Sequence, residues 1–326
     1  MSMKSTNLFV LLLGLTLLTA NTWAMDEEAD EGAAQDTRSE TADAAVGPDS
    51  HIDPPNDGAN AQDSASLAKA SQNPVSSLIS VPFQNDATFN NGPEDAFVNV
   101  LTIKPVIPMG VTENWNLINR AIIPVVYQSE AHQGQTTIGE VIIPGGTTEF
   151  VLPGQELGSE FGLGDIIYQG FFTPAKSGKF IWGIGPQVNL PTGTGRMSSD
   201  QWALGPAAVL LTMPGNWVIG IIASNVWNIG NGYNDAPDVN ALTAQYFINY
   251  NMKGGWYLST APAITANWEA ESGNKWTVPF GGGVGRVFKI GKQPVKMSGS
   301  IYYNAIRPDD ASDWDLQFTM TFLFPK

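Results

Sequence analysis

A period-two alternation of apolar and polar residues, repeated in short segments between residues 77 and 324, constrains this chain more than any other feature. In the last segment Trp314, Leu316, Phe318, Met320, Phe322 and Phe324 alternate with Asp315, Gln317, Thr319, Thr321 and Leu323. Leu242, Ala244, Tyr246, Ile248 and Tyr250 likewise alternate with Thr243, Gln245, Phe247, Asn249 and Asn251, and similar alternation marks 180–189 and 295–305. Successive side chains of a strand point to opposite faces, so such segments present one face to an apolar phase and the other to a polar one. The pattern predicts twelve strands: 77–89, 96–107, 115–128, 165–173, 180–189, 202–213, 217–227, 241–251, 256–268, 275–288, 295–305 and 314–324. Each approaches or slightly exceeds the roughly 9–11 residues that a tilted strand needs to cross a hydrocarbon layer. Near Val98 and Ile122 the alternation is poor, and the pattern fixes no register.

The connections sort into two kinds. Links at 174–179, 214–216, 253–255 and 289–294 are tight, whereas those at 129–164, 190–201, 228–240 and 307–313 are longer or more acidic. Outer-membrane barrels have this asymmetry, with their short turns in the periplasm. An even strand number then puts both ends of the barrel on the periplasmic side. The tryptophans mark two levels. Trp115, Trp217, Trp256 and Trp182 lie at short-turn ends; Trp202, Trp227, Trp268, Trp276 and Trp314 lie at long-loop ends. Amphipathic indoles favour membrane interfaces. The expected fold is therefore an all-β, transmembrane antiparallel barrel of about twelve strands. A further alternating pair, 136–143 and 147–152 around Pro144-Gly145-Gly146, is expected as an extracellular hairpin, with a fourteen-stranded barrel as the alternative.

The N-terminus fixes the compartment. Lys4, the apolar run 8–18 and Thr22-Trp23-Ala24 compose a secretory signal peptide over residues 1–24, too short in its apolar part to span a bilayer. Residues 25–72 carry twelve acidic side chains against Arg38 and Lys69, a balance of −10 within the chain's −15. Few aromatics and many Ala, Asp and Ser make this segment an expected disordered acidic tail, followed by a barrel over 73–326. One expectation ties the two together: a salt-sensitive return of the tail to the barrel's lower opening. Charged residues make up 14% of the chain, below the usual share of about 25%, as suits a wall that alternates between lipid and water.

Seven prolines (Pro82, Pro105, Pro124, Pro186, Pro206, Pro262 and Pro279) fall inside the predicted strands. Each removes a ladder donor, so bulges or breaks are expected beside them.

The chemistry is sparse. The chain has no cysteine and two histidines, His51 in the tail and His132 in a long loop. Neither is placed on the wall to serve a nucleophile. No zinc spacing occurs, and the Asp309-Asp310, Asp313 and Asp315 group reads as an acidic loop. Gly281-Gly282-Gly283 has no phosphate-loop lysine and reads as a bulge or crowded lumen. No enzyme activity, cofactor, metal or nucleic-acid partner is expected. The lumen charges say more. An arginine facing lipid at mid-strand would cost about 2–4 kcal/mol, so Arg120 is expected to point inward. Lys104, Arg286 and Lys296 fall near periplasmic strand ends, Asp165 and Asp315 near outer ends, and Gln187 on the inward set of its strand. These seven are the pore-lining candidates of a polar lumen with an acidic mouth and a basic lower half. Strict alternation faces Arg286 outward unless the glycine run shifts register.

Gly162-Leu163-Gly164-Asp165, Trp182-Gly183-Ile184-Gly185-Pro186 with Leu190-Pro191-Thr192, Trp202-Ala203-Leu204-Gly205-Pro206 and the ending 314–326 carry a resemblance. Over residues 73–326 the chain resembles bacterial outer-membrane proteins associated with the meta-pathway of phenol degradation, which are also labelled transporter or neuromedin U. The resemblance implies a barrel and transport, and brings no catalytic residues. One departure is the end: barrels usually finish on an aromatic, whereas Pro325 and Lys326 follow Phe324 here. The expected function is passive passage of a small-molecule solute across the outer membrane, with outer-membrane lipids and the barrel-assembly machinery as partners. Two rivals are a soluble exported β-sandwich that binds carbohydrate through its tryptophans, and a barrel-borne lipid hydrolase dependent on His132.

Overall fold

Alternating segments of this length close into a single ring of strands. The computed structural model describes residues 66–91, 96–129, 136–143, 146–152, 159–229, 238–309 and 311–325, all within the unit Pro54–Lys326. The expected signal peptide over 1–24, residues 25–65 of the acidic segment (with His51), His132 and Asp310 lie outside the described residues.

The strands are β1 (Ile79–Asn91), β2 (Ala96–Ile103), β3 (Val106–Gly110), β4 (Trp115–Gln128), β5 (Thr136–Ile143), β6 (Gly146–Leu152), β7 (Glu160–Leu163), β8 (Ile166–Pro174) and β9 (Phe180–Leu190). After them come β10 (Ala203–Thr212), β11 (Trp217–Asn228), β12 (Asn240–Asn251), β13 (Trp256–Thr260), β14 (Ala263–Asn267), β15 (Trp276–Ile290), β16 (Gln293–Ile306) and β17 (Trp314–Phe324). The pairs β2/β3, β7/β8 and β13/β14 each make one interrupted stave, which gives twelve staves. Each stave pairs antiparallel with its sequence neighbours, and β1 closes the ring on β17 from Ile79↔Phe324 to Phe89↔Trp314. β5 and β6 pair only with each other, so the hairpin stands outside the wall and the barrel has twelve strands rather than fourteen.

Side chains sort as the alternation requires. Leu316 and Phe318 on β17, Ile301 and Tyr303 on β16, and Ile219 and Ile221 on β11 are exposed on the outer surface, while Asp315, Thr321, Tyr302 and Val218 are buried inside. Closure leaves no free sheet edge, so the apolar outer face meets lipid with its backbone paired around the ring, except where the ladder between β13/β14 and β15 is interrupted at 260–264 and 278–282. The tryptophans pair with other rings at the two rims: Trp115 with Trp182 at one, Trp268 with Trp276 and Trp314 with Tyr303 at the other.

The prolines mark the irregularities. Pro105 separates β2 from β3, Pro262 separates β13 from β14, and a register shift falls between Val278 and Pro279. Beside Pro124 the β7/β8 stave breaks at Gly164-Asp165, whose Gly164 N–H still donates to the Pro124 carbonyl at 2.9 Å. Pro186 and Pro206 face each other across β9 and β10 without displacing the register.

One segment departs from the sequence reading. Residues 66–71, assigned to the disordered tail, form a short helical turn. Ala68 is fully buried and clusters with Leu78, Tyr257, Val287 and Leu323 inside the end of the barrel that carries the short turns. Composition over a 48-residue window hid a local patch, Leu67-Ala68-Lys69-Ala70, that has apolar surface to bury.

Candidate functional site: the barrel lumen

The inward set is not uniformly polar. On β8 to β12 the inward positions include Phe171, Ile181, Ala207, Val209, Leu211, Val218, Ile222 and Phe247, which form one buried cluster with Ile118 and Val106. The polar lumen expected from sequence is thus interrupted by an apolar patch on these strands, beside which Gln169, Gln187, Ser224, Thr243 and Asn249 remain polar and buried. On strands such as β10 and β11 both faces are apolar, so alternation distinguishes them weakly.

The opposite side carries the charges. Lys104 donates from Nζ to Gln84 Oε1 at 2.8 Å, and Gln84 Nε2 in turn donates to both carboxylate oxygens of Asp86 at 3.0 and 2.7 Å. Gln317 Nε2 donates to Asp86 Oδ1 at 2.9 Å. Asp315 sits one inward position above Gln317, with a buried Oδ1 that has no hydrogen-bond partner among the described residues. A second relay climbs the neighbouring wall: Arg120 Nη1 donates to Gln169 Oε1, Gln169 to Gln187, and Gln187 to Asn189, over 3.3, 2.7 and 3.1 Å. The Gln84 amide therefore stands between the Lys104 ammonium and the Asp86 carboxylate and fixes the position of both.

The main cavity, with ≈ 200 Å³ open to water, lies between these faces and is lined by Lys104, Arg120, Lys296, Ile222 and Phe247. A smaller chamber beside it is lined by Asp86, Lys104, Asp315, Gln317 and Tyr302. Along β1 the rung of Asp86 lies four residues, about 14 Å, and that of Asp315 six residues, about 20 Å, from the Pro82 rung that holds Lys104 and Lys296, at about 3.4 Å per residue. The carboxylates are nearer the long loops, the cations nearer the short turns.

Both ends of the lumen are narrowed. At the short-turn end the helical turn of residues 66–71 and the chain that follows it form the floor. Gln72 and Asn251 exchange amide hydrogen bonds at 2.9 and 3.0 Å, Lys69 Nζ donates to the carbonyls of Met213 and Gly215, and Lys296 Nζ donates to the Ser71 carbonyl. Val75 joins the apolar cluster. At the other end the 191–202 loop folds inward and places Met197 among Val98, Val100, Ile122, Val126 and Ile167.

Asp165 holds that loop. Its carboxylate accepts from Gly193 N–H, Ser198 Oγ, Ser199 N–H and Ser199 Oγ at 2.6–2.9 Å. It is a loop anchor rather than a lining residue of the main cavity. Asp165→Ala forfeits several hydrogen bonds to a charged acceptor, each about 1.5–3 kcal/mol. The expected result is a loop released from the mouth, read as larger and noisier single-channel currents. Unchanged currents would show that the loop does not narrow the path.

Of the sequence candidates, Lys104, Arg120 and Lys296 line the main cavity and Asp315 the chamber. Gln187 points inward but is wholly buried in the relay. Arg286 is corrected: it is exposed on the outer surface, stacked on Trp256 at 5.2 Å, with Nε donating to the Gly254 carbonyl at 3.2 Å. The glycine run does not shift register, since Gly281↔Tyr302 through Arg286↔Met297 stay in step. Sequence reading missed Asp86, Gln84, Gln317 and Tyr302. The signal was available for Asp86, because Ser80, Pro82, Gln84, Asp86 and Thr88 form the polar half of β1's alternation.

Over residues 82–324 the sequence matches the family described as "Putative MetA-pathway of phenol degradation". The chain belongs to this family. Among solved structures, this phenol-degradation family member is similar to the COG4313 outer membrane channel from Pseudomonas putida F1, at 14% identity and a TM-score of 0.56, over 76% of this chain and 95% of that one. A NanC porin follows at 9% identity and a TM-score of 0.42, over 76% of this chain and 100% of that one. The CymD monoaromatic hydrocarbon channel gives 11% identity and 0.36, over 82% and 93%. No curated protein sequence matches this chain. The fold is that of an outer-membrane β-barrel, which removes the β-sandwich alternative: a closed ring has no second sheet to pack on.

Proposed function

We propose that this protein is an outer-membrane channel through which small amphipathic molecules pass by diffusion, without catalysis. The barrel's two ends and short turns lie on the periplasmic side, and the wall contacts outer-membrane lipids after insertion by the barrel-assembly machinery. The observation that carries the reading is the division of one lumen into an apolar face, from Phe171 to Phe247, and a facing row of Lys104, Asp86, Asp315 and Arg120. A solute with an aromatic or aliphatic body and one polar group satisfies both faces at once. A wholly polar solute leaves the apolar wall wet, and a wholly apolar one leaves the charges without their water. The family's association with phenol degradation points to the same kind of molecule.

Swelling of proteoliposomes across a panel of similar-sized solutes tests this. Small aromatic acids and hydroxy compounds too polar to cross lipid unaided are expected to enter faster than sugars of equal size. Equal rates for all solutes would reduce the protein to an unselective pore. No entry of any solute would remove the channel reading.

A further inference from the structure

Two cations of the main cavity stand without a counter-charge. Lys104, Arg120 and Lys296 line it, and none of its described lining residues is acidic. Lys104 has an anion at hand, because Gln84 joins it to Asp86. Arg120 and Lys296 meet only neutral acceptors: the Gln169 amide oxygen at 3.3 Å and the Ser71 carbonyl at 3.4 Å. The remaining N–H groups of both heads have no acceptor among the described residues. Thr321, the rung partner of Lys296, lines the same cavity; it is 2% exposed, and its Oγ1 has no hydrogen-bond partner. Withdrawing a charge or a hydroxyl from water without a partner is costly. Three such groups in one cavity therefore call for an occupant that satisfies them. The whole chain carries −15, so this positive interior is a local arrangement and not an average one.

We propose that the cavity is a saturable binding site for a small aromatic carboxylate. Arg120 and Lys296 reach it from β4 and β16, four staves apart in the ring, so a carboxylate between them is held from both sides. The planar guanidinium fork matches two oxygens at once, and the ammonium and the Thr321 hydroxyl add donors. The ring lies on Ile222 and Phe247, which line the cavity and belong to the apolar cluster. Size agrees. An apolar cavity of about 150 Å³ accepts benzene, and the ≈ 200 Å³ here leaves room for a carboxylate as well. Sulfate or phosphate would neutralise the cations but leave the Ile222 and Phe247 wall without an apolar partner. A neutral aromatic alcohol would do the reverse. Asp86 and Asp315 line the adjoining chamber on the long-loop side, where they repel the anion and confine it to the level of the cations. The site deepens the channel reading by naming the charge and shape of the preferred solute, and rests on that reading only for transport.

Isothermal titration of the folded full-length protein in lipid nanodiscs, with empty discs subtracted, tests the site at neutral pH. The probes are benzoate, benzyl alcohol, benzylamine and inorganic sulfate. Benzoate is expected to saturate one site per chain, several-fold tighter than benzyl alcohol or sulfate, with no binding of benzylamine. Arg120→Gln and Lys296→Gln should each weaken benzoate several-fold and leave benzyl alcohol unchanged. Lys179→Gln, which removes an exposed lysine from a short turn, should change neither. Heat-dependent mobility on a gel confirms that each variant is folded. Benzoate no tighter than benzyl alcohol, or weakened equally by Lys179→Gln, would overturn the site. Sulfate as tight as benzoate would overturn the aromatic carboxylate as its ligand. Saturable benzoate binding without benzoate flux in proteoliposomes would leave the site standing and remove the channel reading. Flux that rises linearly with concentration, without binding, would overturn the site and leave the channel.

Discussion

Deleting residues 66–76 is expected to raise single-channel conductance several-fold, more than any single substitution in the barrel wall. These residues supply the floor of the main cavity through Ser71, Gln72, Asn73, Pro74 and Ser76, and no other described segment occupies that end. Their hold is specific. Gln72 and Asn251 satisfy each other while buried, Lys69 reaches two carbonyls of the 213–216 turn, and Ala68 packs against Tyr257, Val287 and Leu323. Gln72→Ala alone takes the donor from the buried Asn251 Oδ1, while Asn251 Nδ2 still donates to the Asn216 carbonyl; the orphaned acceptor costs about 1–3 kcal/mol, and intermediate, flickering currents are expected. The sequence suggests that charge draws the acidic segment to this opening, an effect screened beyond about 8 Å at physiological salt. The contacts seen here are hydrogen bonds and apolar packing, so the difference between full-length and deleted protein should persist at high salt. A difference confined to low salt would mean that the acidic charge, and not this floor, restricts flow. Recordings in planar bilayers at two ionic strengths decide it.

The second large effect concerns assembly. A Cβ on Gly185 would lie 1.7 Å from the Gly170 carbonyl oxygen, and one on Gly205 1.7 Å from that of Asn225. Both oxygens belong to adjacent staves, so no rotamer change relieves the clash; the strands must part and lose ladder bonds. Overpacking alone costs about 1–3 kcal/mol, and parting a ladder in lipid adds unsatisfied backbone to that. Gly185→Val and Gly205→Val are therefore expected to abolish the folded, heat-modifiable band in outer-membrane fractions. Gly299→Ala is the matched control, because a Cβ there meets nothing within 4 Å, and it should assemble normally. Normal assembly of both valine variants would show that the close approach of these staves is not required.

Strand positions were legible because the alternation is long-lived: Trp314 to Phe324 can place its polar set inward in only one register. The prolines announced their breaks for an equally local reason, the missing N–H. Side-chain roles were less legible. Asp165 and Asp315 look alike in sequence, each an acid at an outer strand end, yet Asp165 is captured by a loop 28–34 residues downstream and Asp315 faces the lumen. Arg286 obeyed the alternation, and the glycines beside it altered nothing. The apolar face of the lumen was invisible where both faces of a strand are apolar, as in Ala207 to Leu211. The floor was hidden for the opposite reason: six ordered residues sit inside a long acidic stretch whose average composition argues for disorder.

The most direct test of the central claim is a planar-bilayer recording of the purified, folded full-length protein beside an Ala207→Trp variant, which fills the apolar side of the lumen. Discrete current steps are expected from the full-length protein, with small aromatic carboxylates carrying current, and those steps should shrink or vanish in the variant. A folded, membrane-inserted protein that gives no steps, or steps indifferent to a tryptophan in the lumen, would contradict the account.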